Sequence, residues 1–143
     1  MTKEEYMDVY KTVGAGMEVY NTLGYGMAEP IYQEALAVEM AKRGMAAERE
    51  KPLRLYYKDV LLEKRYFADL YYKGISIELK SVSEIVSEHR AQLFNYMRNS
   101  HTNRGIIINY GEESLYVERY LYLPDIDEFV MLNHDNYKDY ITE

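Results

Sequence analysis

The chain has no cysteine and no tryptophan, only three prolines and three histidines, and no long apolar run. Without cysteine there is no disulfide framework, no thiol nucleophile and no thiolate zinc site. His89, His101 and His134 lack a paired-ligand spacing such as H-x-x-x-H and read as surface or capping residues. No stretch approaches the roughly 18 consecutive apolar residues of a membrane span, so no membrane is expected as a partner. The opening MTKEEYMDVYK has no apolar signal core, and the expected compartment is the cytoplasm. A basic excess is missing as well. Net charge is −7; residues 1–110 hold 15 basic and 15 acidic side chains, and residues 111–143 hold 2 and 9. A balanced body with an acidic C-terminal segment argues against broad, nonspecific nucleic-acid affinity, which needs a basic face. It leaves room for a local metal or phosphate site.

What is present suits one globular domain: 143 residues, 48% hydrophobic and 29% charged. Residues 3–22 read as a helix weakened by Gly14 and Gly16, and Leu23-Gly24-Tyr25-Gly26 as a break. A second helix is predicted from Pro30 to Arg43, with proline in its first turn and Gly44 as its stop. The period then changes to two. Leu53, Leu55 and Tyr57 alternate, a short Val60-Leu61-Leu62 run follows, and residues 65–72 and 75–80 form two strands around the turn Lys73-Gly74. Residues 84–99 read as a third helix, and 105–108 and 114–120 as two further strands. The order ααβββαββ predicts an α/β or α+β fold with helices covering a central mixed sheet. The main domain is expected over 1–123. Residues 124–143 are expected as an acidic extension, irregular apart from a short helix near Asp127–Leu132.

The hairpin around Lys73-Gly74 carries the chemistry. With those two as turn residues, Tyr72 faces Ile75 and Asp69 faces Glu78, and opposed residues point to one side of a sheet. Lys80, two residues beyond Glu78, points to that side too, while Ile75, Ile77 and Leu79 take the other. Opposed like charges destabilise a sheet unless something compensates. Lys80 alone would make this a structural charge cluster. A divalent cation such as Mg²⁺, which takes a few carboxylate oxygens and keeps several waters, is the other compensation.

Asp69 followed by Glu78-Leu79-Lys80 on the next strand, after a helix bearing a glutamate, resembles the PD-(D/E)XK nuclease superfamily. Gly26-Met27-Ala28-Glu29-Pro30-Ile31-Tyr32 is similar to the G-x-x-E-x-x-Y signature of a small bacterial family within it. Ala68-Asp69-Leu70, Ala91-Gln92-Leu93 with Asn95-Tyr96, and Ile107-Ile108-Asn109-Tyr110-Gly111 extend the likeness over residues 8 to 120. The resemblance implies a restriction-endonuclease-like core that hydrolyses phosphodiester bonds, with Mg²⁺ or Mn²⁺ lowering the pKa of a bound water. It makes Asp69 and Glu78 metal ligands, Lys80 the catalytic lysine, and Glu29 a residue touching the metal or its water. Gln92 is implied on the following helix, with Tyr96 one turn later, and Tyr32 as a substrate or supporting residue. The implied partner is nucleic acid, with DNA placed ahead of RNA, and a homodimer that completes the groove is a further option. Two positions depart from the pattern: Phe67-Ala68 precede Asp69 where the superfamily motif has a proline, and Tyr20 stands where the family often has histidine.

Other readings stand beside this one. Glu29 at a helix N-terminus is favoured by the helix dipole whatever its function. Gln92 and Tyr96 also fit a polar edge and a core aromatic. Tyr56, Tyr57, Tyr71 and Tyr72 would suit single-stranded nucleic acid as stacking platforms, or simply strand packing. The rival to a nuclease is a binding or assembly module that keeps the fold without turnover. A substrate-holding surface requires the fold to gather Lys42, Arg43, Lys51, Arg54, Lys64, Arg90, Arg98 and Arg104.

Overall fold

Residues 1–142 are described by a computed structural model, in which the alternating segments join into one six-stranded sheet. Two helices come first, α1 (Lys3–Leu23) and α2 (Glu29–Lys42). Three strands follow: β1 (Glu48–Tyr57), β2 (Val60–Tyr72) and β3 (Ile75–Lys80). Then come α3 (Ser87–Ser100), β4 (Arg104–Asn109), β5 (Tyr116–Leu123), β6 (Glu128–Leu132) and a 3-10 turn at Tyr137–Tyr140. Strand order follows chain order, and every neighbouring pair is antiparallel except β3 and β4, which α3 connects in parallel.

The unbroken run Gly105-Ile106-Ile107-Ile108 is buried on both faces, as a central parallel strand requires. On one face, Val9, Val13, Leu36 and Met40 of α1 and α2 meet Ile75, Ile77, Leu79, Ile106 and Ile108. On the other, Leu93 and Met97 of α3 meet Ile107 and Tyr120. Gly16, unfavourable for a helix, has a packing reason. A Cβ there would stand 3.1 Å from Ile108 Cδ1 and 3.3 Å from the Tyr110 hydroxyl, so its absence lets α1 close on β4.

Three expectations are corrected. Residues 128–132 form strand β6, where the sequence predicts a short helix near Asp127–Leu132. The segment Leu123–Asp127 closes a turn, and Phe129, Val130 and Leu132 pair with the free edge of β5, which a lone helical turn would leave open. The third helix starts at Ser87, not residue 84, because Val86 is extended and its backbone N–H donates to His89 Nδ1 at 3.2 Å. The Val60-Leu61-Leu62 run and residues 65–72 are one strand, turned back from β1 at Lys58-Asp59. After β6 the chain returns to the start of α1, where Tyr137 stacks on Tyr6 with ring centres 4.0 Å apart. None of the helices is long and apolar enough to cross a membrane among the described residues.

Candidate active site

The site begins where two strands part. The β2–β3 ladder pairs Tyr72 with Ile75, Tyr71 with Ser76 and Leu70 with Ile77, the register expected for a Lys73-Gly74 turn. At the next position the ladder stops. Asp69 Oδ2 instead accepts the backbone N–H of Leu79 at 2.9 Å, and the Asp69 backbone N–H acts on the Glu78 carboxylate. Beyond this point β2 keeps only β1 as a partner, and β3 keeps only β4. The opposed acids therefore sit in the fork of a splitting sheet.

The N-terminus of α2 fills the fork. Glu29 is its first residue and Gln33 lies one turn later. The Gln33 side-chain amide donates to Glu50 Oε1 at 2.9 Å and to the Asp69 carbonyl at 2.8 Å, joining α2, β1 and β2. Glu29, Pro30, Gln33, Glu50, Asp69 and Leu79 line a cavity of about 290 Å³. A somewhat larger cleft, about 340 Å³, lies toward the other end of β3; Glu4, Asp8, Lys11, Arg43 and Lys73 give it mixed charge.

The loop that delivers Glu29 is tied down by tyrosines. The buried Tyr32 hydroxyl donates to the Gly24 carbonyl at 2.8 Å and accepts the Met27 N–H at 3.1 Å. Its ring stacks on Tyr110 with centres 4.1 Å apart, and Gly26 N–H donates to the Tyr110 carbonyl. Ser81, just after Lys80, donates its hydroxyl to the Met27 carbonyl at 2.5 Å, so the glutamate loop and the lysine strand share a brace. Tyr32→Phe removes both hydroxyl bonds while keeping the ring. It is expected to lower stability by about 1–3 kcal/mol, readable as a shift of the urea midpoint.

Burial dominates the electrostatics. It pushes the Glu78 carboxyl up to about 8, against the opposing pull of Lys80 and the Asp69 N–H, with Glu29 and Glu50 adding to the rise. Asp69 is also raised, by burial first, although the Leu79 N–H and Lys80 counter it. Glu78 Oε1 is sealed from solvent and has no hydrogen-bond partner among the described residues. A buried carboxylate oxygen left bare is costly, and protonation or a cation would relieve it.

The structure thus brings Asp69, Glu78, Lys80 and Glu29 into one electrostatic neighbourhood, although Glu78 and Lys80 stand beside the cavity rather than in its wall. Tyr32 is fully buried, which makes it a support and keeps it off any substrate. Gln92 is exposed on α3, outside the cavity lining and without a hydrogen bond among the described residues. Tyr96 stacks on Tyr66 of β2 with ring centres 3.5 Å apart, joining α3 to the β1–β2 hairpin. Sequence reasoning missed Glu50 and Gln33. Gln33 was within reach, one helical turn from Glu29. Glu50 was not, because its approach to Asp69 depends on the β1–β2 register and on a left-handed backbone (φ 50°).

No three His, Asp or Glu side chains among the described residues already close around a point as a finished metal site. The donors at the fork nonetheless fit a hard cation. They are carboxylate oxygens, one of them bare, and Mg²⁺ is commonly held by one or two carboxylates with water in its remaining positions. No curated protein and no solved structure matches the chain. The family model of the PD-(D/E)XK nuclease superfamily matches residues 6–120, from α1 through most of β5 with the whole fork inside it. The chain belongs to the PD-(D/E)XK nuclease superfamily.

Proposed function

We propose that this protein is a divalent-metal-dependent nuclease of the G-x-x-E-x-x-Y type, acting in the cytoplasm, with Asp69, Glu78 and Lys80 at its centre and Glu29 beside them. The observation that carries the reading is the bare, buried Glu78 Oε1 at the fork, opposite Asp69 and two residues from a lysine. Asp69 and Glu78 would hold Mg²⁺ or Mn²⁺. When bound, such an ion supplies a lowered pKa for a water and positive charge for the phosphoryl oxygens.

The chain's own residues do the rest. The Leu79 N–H fixes one Asp69 oxygen and leaves the other free to bind. Lys80 donates to a non-bridging oxygen of the scissile phosphate and offsets the charge that builds there. Glu29, at the exposed N-terminus of α2, accepts a hydrogen bond from the attacking water and orients it. Gln33 holds Glu50 at the cavity wall.

One feature favours a catalytically silent binding module instead. Five of the eight basic residues named from the sequence are already committed: Arg43 to Glu39, Lys51 to Glu48, Arg90 to Glu118, Arg98 to Asp127, and Arg104 in a buried site beside Glu5. A panel of labelled DNA and RNA, incubated with wild type in Mg²⁺, Mn²⁺ or EDTA, separates the two readings. Cleavage in either metal and none in EDTA is expected. Intact substrate throughout would favour the module, and cleavage that persists in EDTA would contradict metal dependence.

A further inference from the structure

We infer that the outer face of the β1–β2 hairpin is the substrate-holding arm of this site and that it takes a single-stranded nucleic-acid segment, a proposal that rests on the nuclease reading for its partner. Past the fork, β1 and β2 form a two-stranded ribbon whose two sides differ. The inner side holds buried Leu53 and Ala68, with Tyr66 stacked on Tyr96 of α3. The outer side continues from the site itself. By the β1–β2 register Asp69 lies across from Glu50, Phe67 pairs with Pro52, and Arg65 pairs with Arg54. Phe67 is 52% exposed, and Pro52, Arg54 and Arg65 are exposed.

Two features of this face have no structural use. Directly opposed arginines repel and weaken a ribbon. Yet neither Arg54 nor Arg65 has an ion-pair or hydrogen-bond partner among the described residues, whereas five other basic residues do. A phosphate between the two guanidinium groups would remove the repulsion and match their donor geometry. A phenylalanine half in solvent, between that pair and the acids, offers a flat face to a base. Bases within a duplex already stack on each other, so a splayed single strand is the partner that uses it. Arg65 precedes Asp69 by four strand residues, about 13 Å. An arm of that reach holds the strand away from the reacting phosphate, which fits a chain in which five of the eight basic residues named from the sequence are already ion-paired. Of the tyrosines singled out in the sequence, Tyr72 is buried, Tyr56 packs against His101 and Tyr71 lies under the Lys51 ammonium, while Tyr57, 64% exposed, stands at the far end of β1.

The test is fluorescence anisotropy of a labelled single strand and of a blunt duplex of the same sequence in Mg²⁺. The full chain carries Lys80→Ala to prevent turnover. Adding Arg54→Ala with Arg65→Ala is expected to weaken single-strand binding about tenfold or more and to reduce the salt slope by about 1 to 1.5. Removing the same charge elsewhere, with Lys11→Ala and Lys42→Ala, is expected to do much less. Phe67→Ala is expected to cost at least about fivefold on the single strand and little on the duplex, with Phe67→Tyr restoring binding. Three results would overturn the proposal: an arginine double variant no weaker than the lysine control, Phe67→Ala acting equally on both substrates, or a parent that binds no strand. Absence of cleavage by wild type, with these binding differences intact, would remove the nuclease reading and leave the arm standing.

Discussion

Glu78→Gln is expected to raise the melting temperature of the metal-free protein at pH 9 by on the order of 10 °C and to change it little at pH 4. In the folded chain burial lifts the Glu78 carboxyl from its ordinary 4.5 to about 8. The folded state therefore holds this proton more tightly than the unfolded state does. The stabilising difference is fully present below pH 4.5, is lost as pH rises toward 8, and is gone above it. At about 1.4 kcal/mol per unit, the loss amounts to a few kcal/mol, up to about 5. Glutamine has no charge to bury, so it escapes that loss. Thermal unfolding of both proteins in EDTA at pH 4, 6.5 and 9 reads the effect directly, because other titrating groups cancel in the comparison. Mn²⁺ at pH 9 is expected to restore wild type and to do little for Glu78→Gln. Equal melting of the two proteins at pH 9 would show that Glu78 is not the strained carboxylate that the fork makes it.

The largest expected change in rate belongs to Asp69→Asn, a loss on the order of 10³-fold in kcat for phosphodiester cleavage. Asparagine still accepts the Leu79 N–H, so the fork survives while its charge does not. Lys80→Ala is expected to cost on the order of 10²- to 10³-fold, since a preorganised donor to the reacting phosphate is lost from a poorly solvated site. Lys80→Arg recovers little of this, because a planar fork does not replace a compact ammonium. Gln92→Ala, outside the cavity lining, leaves the rate close to wild type. Single-turnover cleavage alongside circular dichroism of each variant separates these outcomes from misfolding. If Asp69→Asn and Lys80→Ala cleave like wild type, the chemistry lies elsewhere.

Much of this was legible from the chain because it depends on local rules. Two turn residues at Lys73-Gly74 set the β2–β3 register, and that register alone opposes Asp69 and Glu78. Proline at 30 and the glycines before it mark where α2 begins, and so where Glu29 stands. What escaped depends on tertiary context. The tail became a strand because β5 offered an open edge, a fact no window of local sequence contains. Glu50 reaches the site through a left-handed residue and a bridging Gln33, neither of which leaves a periodic trace. The splitting of the sheet at Asp69 was equally hidden. Alternation predicts that a pair continues, not that its hydrogen bonds are handed to a side chain.

The most direct single measurement is titration of the full chain with Mn²⁺, following free Mn²⁺ by its paramagnetic resonance, for wild type and Asp69→Asn at pH 6.5 and 8.5. The expected result is saturable binding by wild type that tightens between the two pH values, as Glu78 gives up its proton, and is lost in Asp69→Asn. Binding that is absent from wild type at pH 8.5, or equal in the two proteins, would contradict a metal centre at the fork.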